Sequence, residues 1–536
     1  MTKNNFLKGA AILGIAGIIV KILGAFYRIP LSNIIKTEGM GYYQTAYPLY
    51  VLLLTVSTSG FPVAIAKLVS EKRALGDYKG AFKVFKVAFA GLLIAGLITS
   101  LIVFINADSI VKFLENENAY YSLIALGPAL FFVPVMSAFR GFFQGRQYMV
   151  PTALSQIAEQ FFRVVMGLAF TIVLLDKGTA IAAGGASFGG SIGAAAGTIV
   201  MVIIFFKNRR EIKNEMNATV LHEEETVSRI IRNLLVIAIP ITIGAAIAPI
   251  MNSIDTFIVL RRLQSIGYTK MEANSLYGQL TGLAQTLINL PQVFSSALAV
   301  SLVPAISEAN ARKKFHDIRS ITSSGIRITL LLGLPCGLGL FILATPIINL
   351  LYYKNTLETI QSTGQILAVL SFGVIFLTLV QSLTAILQGL GRPFVSVKNL
   401  FIGAVVKIIL TYALTGIEWI NVKGAAIGTV VAYLIASLLD LISVRKYTRL
   451  KINVKEIFIK PIISALGMTI AARLTYLGML NFVGDRIATL VAIMIAAGVY
   501  GILLLVTRTL TYDDFSLLPK GEKIADILVK LKFINR

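Results

Sequence analysis

Fourteen stretches of this chain, each about twenty residues long, are apolar almost throughout, and that succession decides what the chain can become. A helix needs ~20 apolar residues to cross ~30 Å of hydrocarbon, and lipid offers the backbone no partner, so such segments pair their own amides within helices. The runs lie near residues 10–33, 45–66, 87–106, 119–139, 152–175 and 179–206, then 233–260, 278–305, 327–352, 363–388, 396–416 and 422–443, and finally 459–480 and 487–508. With 56% of its residues hydrophobic and only 14% charged, the chain has too little polar surface to clothe a soluble domain. The expected fold is an all-α polytopic membrane protein with 14 transmembrane helices. Short alternating segments of the barrel type are absent from the sequence.

The first twelve runs are built twice. Arg140-Gly-Phe-Phe-Gln144-Gly145 closes one apolar segment, Pro151 follows, and the next segment carries Arg163; Gln388-Gly389, Pro393 and Lys407 repeat that order. Registering Gln144 on Gln388 places Arg163 on Lys407. Further on, Gly193-Ala-Ala-Ala-Gly197-Thr198 is echoed by Gly424-Ala-Ala-Ile-Gly428-Thr429. A chain with this pattern is a head-to-tail duplication of a six-span unit, followed by one unmatched pair of spans.

Basic residues choose the orientation. The loops near 67–86, 140–146, 207–232, 312–327, 392–398 and 445–460 are rich in Lys and Arg and fall on one side, which reads as the cytoplasm; an even number of spans then leaves both termini cytoplasmic. Most of the net charge of +23 is explained this way, without nucleic acid as a partner. Arg261, Arg262 and Lys270 fall on the opposite side and break the rule. The tail at 511–536 spaces Leu517, Ile524, Ile527, Leu528 and Leu531 among lysines, which suits an amphipathic helix on the inner leaflet.

Catalysis finds little support. Gly185-Ala-Ser187-Phe-Gly189 matches a nucleophile elbow, but both histidines, His222 and His316, belong to loops, and small residues in a span serve helix packing. No phosphate loop of the Walker type occurs, Cys336 is alone, and His222 with Glu223, Glu224 and Glu225 reads as a solvated surface, so no metal or cofactor is expected. Basic residues inside spans carry more information. Lys21 and Arg28 are seven apart and share a helix face, and Arg163 and Lys407 hold matching places in the fifth and eleventh spans. A charge at mid-bilayer costs ~2.5–3.5 kcal/mol even on a lenient scale, so these groups should face a cavity or a partner, and their sign suits an anion. Glu159, four residues before Arg163, can neutralise it along the helix. Asp255 in the seventh span is either an ion or proton site or the mate of a basic residue. Gln279, Gln285, Asn289 and Gln292 surround Pro291, and Gln44 and Tyr47 precede Gly60-Phe61-Pro62, so both halves place a polar, breakable helix second.

The run RGFFQG with PTALSQIAEQFFR, the opening KILGAFYRIP, the stretch GMGYYQ from Gly39 to Gln44, and SGFPVAIAKLVSEK resemble the SpoVB/YtgP group of polysaccharide-biosynthesis exporters. That group lies in the multidrug/oligosaccharidyl-lipid/polysaccharide (MOP) flippase superfamily and is similar to the MurJ lipid II flippases. The resemblance covers nearly the whole chain. It implies MATE-like lobes at 1–206 and 233–445 around a central cavity, a cytoplasmic connection at 207–232, a lipid-tail groove on the pair at 456–510, and a bacterial plasma-membrane location. It further implies a flippase, not an enzyme, whose cargo is an undecaprenyl-diphosphate cell-wall precursor with lipid II as first candidate, working beside the cell-wall synthesis machinery. Lys21 and Arg28 match the two basic positions of the family's first helix and would meet the diphosphate; Arg163 and Lys407 would set the field, and Gln44, Gln285 and Gln292 would touch sugar or peptide. The places of two further cavity arginines fall near Leu54 and Thr286, which are uncharged. Membrane potential, Na+ and H+ stay open as energy sources. A cation-coupled drug exporter would want carboxylates in the cavity, and a membrane glycan polymerase or transferase would want a catalytic acid or histidine in a long outer loop; neither is evident.

Overall fold

Length alone separates the first two expected spans. The computed structural model describes residues 3–219, 225–450, 453–507 and 509, and among these 13 helices are long and apolar enough to cross a membrane. One of them runs Ile12–Ala74, and its 63 residues would reach about 95 Å, three bilayer thicknesses. The chain breaks it twice: α1 (Lys3–Thr58) kinks at Lys36, where φ is 56°, and ends at Ser59 and Gly60 before α2 (Phe61–Ala74). There follow α3 (Tyr78–Phe113), α4 (Tyr120–Gly145), α5 (Val150–Leu174), α6 (Thr179–Lys207), α7 (Arg209–Asn217), α8 (Val227–Ser265) and α9 (Lys270–Tyr277). The expected span at 278–305 is not one helix. It comprises a π-helical stretch Gly278–Ala284, the short α10 (Gln285–Ile288), a break before Pro291, and α11 (Gln292–Ala311). Pro291 lacks an amide proton to continue the ladder, so the break expected there is observed. The remaining helices are α12 (Phe315–Ile342), α13 (Ala344–Leu351), α14 (Leu357–Gly389), α15 (Pro393–Thr415), α16 (Lys423–Thr448), α17 (Lys460–Val483) and α18 (Asp485–Val506). The expected amphipathic tail at 511–536 and residues His222, Glu223 and Glu224 lie outside the described residues.

The chain packs as two compact units, Met1–Gln264 with Tyr268–Gly278, and Ser265–Gly267 with Gln279–Arg536. Packing and sequence repeat therefore group the seventh span differently, since α8 stays with the first unit. Its Ile230, Leu234 and Ala238 join that unit's apolar core, and Thr242 Oγ1 accepts from Gly60 N at 3.1 Å. The expected connection at 207–232 holds α7, which is tied down by ion pairs: Arg73 to Glu215 at 2.6 Å, and Arg146 to Glu211 at 2.8 Å and Glu215 at 3.3 Å. Arg261 and Lys270, the exceptions to the charge rule, pair with Glu115 at 3.0 Å and Glu117 at 3.1 Å, so basic and acidic loops meet and cancel.

The duplicated motif has the same physical use in both units. A methyl built on Gly145 would fall 2.7 Å from Val69 Cβ of α2, and one on Gly389 would fall 2.8 Å from Ile306 Cβ of α11, so each glycine lets two helices touch at the backbone. The turns that follow are alike. Gln147 (φ 58°) and Gly391 (φ 74°) take the left-handed conformation, with Gln147 N bonded to Gln144 O and Tyr148 N to Phe143 O, and Gly391 N to Gln388 O and Arg392 N to Leu387 O. Each is a Schellman ending, and each next helix carries a proline in its first turn.

Candidate functional site

Arg163 stands on the fourth turn of α5, about 20 Å along the axis from Val150. The neighbouring α6 comes close because its glycines leave room: a methyl on Gly193 would lie 2.4 Å from Glu159 O, and one on Gly189 would lie 2.4 Å from Gly167 Cα. The elbow-like pattern at Gly185 to Gly189 is this packing surface. Ser187 Oγ is buried there with no hydrogen-bond partner among the described residues.

The expected pairing of Glu159 with Arg163 exists, but Glu159 is shared. Its Oε2 accepts from Arg140 Nη2 at 3.0 Å, and its Oε1 from Arg163 Nη2 at 3.4 Å, while Arg140 Nε donates to Ser155 Oγ at 2.9 Å. The side chains of Arg140, Glu159 and Arg163 are 13%, 18% and 17% exposed. Two guanidinium groups on one carboxylate leave one positive charge over, and Arg163 Nε is buried without a hydrogen-bond partner among the described residues. Beside this triad run Tyr43, Tyr47 and Tyr50 of α1, with successive ring centroids 5.8 and 6.0 Å apart. Arg163 is within electrostatic reach of all three tyrosines, and Arg28 is within reach of Tyr43. Tyr27 Oη donates to Ala186 O at 3.0 Å and fastens α1 to α6.

The first unit thus brings together Arg28, Glu159 and Arg163, and adds Arg140, which sequence reading left in a basic loop. Lys21 is exposed two turns earlier on α1, and Gly24 between the two basic residues sits against Gln160 of α5. Gln44 is only 5% exposed, next to Thr45 in a polar knot where Asn116 Nδ2 donates to Thr45 Oγ1 and Asn274 Oδ1, and Asn274 Nδ2 to Glu38 O. Asp255 is half-buried on α8, adjacent to Thr256, whose hydroxyl meets Tyr277 Oη at 2.6 Å. Gln285, Gln292 and Lys407, all half-buried, belong to the second unit. Gly403 stands four residues before Lys407, where the first half has Glu159.

Arg327 and Asp440 are buried charges that escaped the sequence reading. Arg327, expected to end a cytoplasmic loop, is 7% exposed inside α12, which begins twelve residues earlier at Phe315. Asp440 on α16 is 1% exposed. An apolarity window starts a span after the last charge, so it clips helices whose charges are buried. At the loop end of the first unit, burial pushes the Glu215 carboxyl up, but hydrogen bonds from Arg73 and the charge of Arg146 hold it below the ordinary carboxylate range. No group of three or more metal-ligating His, Cys, Asp or Glu side chains occurs among the described residues.

Repeated apolar helical spans with basic charge buried among them define a multi-span membrane protein, and solved structures of that class share the fold. The lipid II flippase MurJ in an inward closed conformation matches with a TM-score of 0.68 at 18% identity, covering 94% of this chain and 100% of that one. An inward-facing multidrug resistance MATE transporter of the MOP superfamily matches at 0.67 and 14% identity, covering 84% and 98%. The chain belongs to the polysaccharide biosynthesis protein family, whose model matches residues 6–310, more than half its length. A MatE model matches residues 280–413. Among curated relatives, Stage V sporulation protein B of Bacillus subtilis (strain 168) is 29% identical over 528 residues, covering 97% of this chain and 98% of the relative. Lipid II flippase MurJ of the same organism is 29% identical over 516 residues, covering 93% and 94%. The chain is therefore a multi-pass membrane protein of that family.

Proposed function

We propose that the protein moves a polyprenyl-diphosphate-linked cell-wall precursor, with lipid II as first candidate, from the inner to the outer leaflet of a bacterial plasma membrane by alternating access. The observation that carries this reading is the surplus positive charge at Arg163. A guanidinium that shares its one carboxylate with Arg140 and has a buried donor to spare is a place for an anion, and a charge at that depth must be answered by something. Lys21 and Arg28 would take the diphosphate first, Arg163 and Lys407 would set the field, and Gln44, Gln285 and Gln292 would meet sugar or peptide; Asp255 is a candidate ion or pairing group. In this reading the chain counts fourteen crossings with both termini cytoplasmic, six-span lobes at 1–206 and 233–445, and α17 and α18 as the groove for the lipid tail. The names of the relatives support the cargo class.

Drug export is the second reading, favoured by the MatE match at 280–413. An organic cation would want a carboxylate in surplus, and the triad has the opposite sign. The test is rescue of cells depleted of their own lipid II flippase, with externally accessible lipid II as the readout. Restoration by the wild-type chain, and its loss in Arg28→Ala and Arg163→Gln at equal expression, is the expected result. No restoration by the wild-type chain would remove lipid II as the cargo.

A further inference from the structure

Registering Gln144 on Gln388 also aligns the polar clamp at the loop ends of the two units. Arg140 falls on Thr384, Thr152 on Ser396, and Ser155 on Asn399. In the first unit the clamp's carboxylate is Glu159, and it faces two guanidiniums. In the second unit the carboxylate comes from α16 instead, and every partner is neutral: Asn399 Nδ2 donates to Asp440 Oδ1 at 2.8 Å, and Ser396 Oγ and Thr384 Oγ1 reach Oδ2 at 3.2 and 3.4 Å. Asp440 makes no ion pair among the described residues.

The charged groups of the surrounding helices are engaged or turned elsewhere. On α15, Lys398 is exposed, whereas Ser396 and Asn399 face inward, and Lys407 lies two turns further along. On α12, Arg319 Nε donates to Thr448 O at 3.2 Å, and Arg327 Nη2 reaches Ser324 Oγ at 3.5 Å. On α14, the segment around Thr384 carries no ionisable residue, and on α16 itself Arg445 and Lys446 are exposed. An acid shut away with neutral company is a costly place for a permanent charge.

The hydrogen-bond pattern accommodates both states of that acid. Asn399 can serve Oδ1 whether or not Oδ2 carries a proton. On the Oδ2 side stand two hydroxyls in contact with each other, in which either can be the donor. When Asp440 is ionised they donate to it; when it is protonated they reverse and accept. Asp440 also lies five residues before the basic last turn of α16, about 7 Å along the axis from Arg445, so the route to the loop end is short.

We propose that Asp440, with Ser396, Thr384 and Asn399, is a proton-binding site of the second unit, loaded and emptied from the loop end of α16. This stands apart from the cargo, since it concerns one unit and one carboxyl.

Dicyclohexylcarbodiimide tests it on the full-length protein in liposomes. The reagent adds to a protonated carboxyl: the acid proton passes to a carbodiimide nitrogen while the carboxyl oxygen bonds to the central carbon. Labelling of the peptide that holds Asp440 is measured by mass spectrometry from about pH 5.5 to about pH 8.5 and divided by the total amount of that peptide. The expected ratio falls as pH rises, approaching about tenfold per pH unit above the midpoint. Asp440→Asn removes the label, and Asn399→Leu, which deletes a donor that favours the anion, moves the midpoint to higher pH. A ratio that stays flat, whether labelled or unlabelled, would mark Asp440 as a fixed structural cap on the first turns of α15 and overturn the proposal. An unmoved midpoint in Asn399→Leu would overturn it as well.

Discussion

Replacing Glu159 by Gln should damage the protein far more than replacing Arg163 by Gln, although the two side chains touch. Glu159 is the only carboxylate of the triad, so its loss strands two guanidiniums whose side chains are less than a fifth exposed. Breaking a buried ion pair by removing one partner costs about 3–5 kcal/mol, because the other charge stays behind. Arg163→Gln leaves the 3.0 Å bond from Arg140 to Glu159 in place and removes a single 3.4 Å contact from a group that already has an unpaired Nε. Its cost should be about 1 kcal/mol. The two variants should therefore differ by at least about 2 kcal/mol, which an SDS titration of the purified protein in mixed micelles, followed by circular dichroism, resolves. In rescue the order reverses in meaning, since Arg163→Gln folds and fails to transport. Equal destabilisation by the two changes would show that Arg163 is a locked structural partner, and the surplus-charge argument would fall with it.

Gly189→Leu should abolish folding or cost more than about 3 kcal/mol, since even a methyl there meets Gly167 Cα at 2.4 Å; detergent-stable yield by size-exclusion chromatography checks it. The α7 latch should open in acid. Glu215 is held below its unfolded value, so its contribution is complete above about pH 4.3 and lost as pH falls through the lower folded value. Limited proteolysis of Arg209–Asn217 should accelerate across that window, while Glu215→Gln should be cut quickly at neutral pH too. Charge reversal at Lys270, whose pair with Glu117 is 60% exposed on both sides, should change stability by less than about 1 kcal/mol in the same titration.

The duplication, the spans and the break at Pro291 were legible because each rests on local chemistry: apolar length, a glycine where helices cross, a proline without an amide proton. What the sequence hid was choice of partner. Arg140 and Arg327 read as loop or boundary residues because apolarity along the chain penalises any charge, and Asp440 went unremarked inside the span at 422–443, whereas burial depends on which helix lies alongside. The pairing of Glu159 with Arg163 was visible as an i, i+4 spacing; that Arg140 claims the same carboxylate was not, since Arg140 sits on another helix. For the same reason α8 groups with the first half by packing and with the second by repeat. Its Gly60 to Thr242 bond and its buried Ala238 are tertiary facts that spacing does not encode.

Binding of undecaprenyl diphosphate to the purified protein, set beside the uncharged undecaprenol, tests most directly whether the buried cations receive a lipid-borne diphosphate. The wild-type chain should prefer the diphosphate, and Arg163→Gln and Arg28→Gln should each weaken it at least about tenfold, a loss of ~1.4 kcal/mol, while leaving undecaprenol unchanged. Diphosphate affinity that is indifferent to both substitutions, or no preference over undecaprenol, would contradict the account.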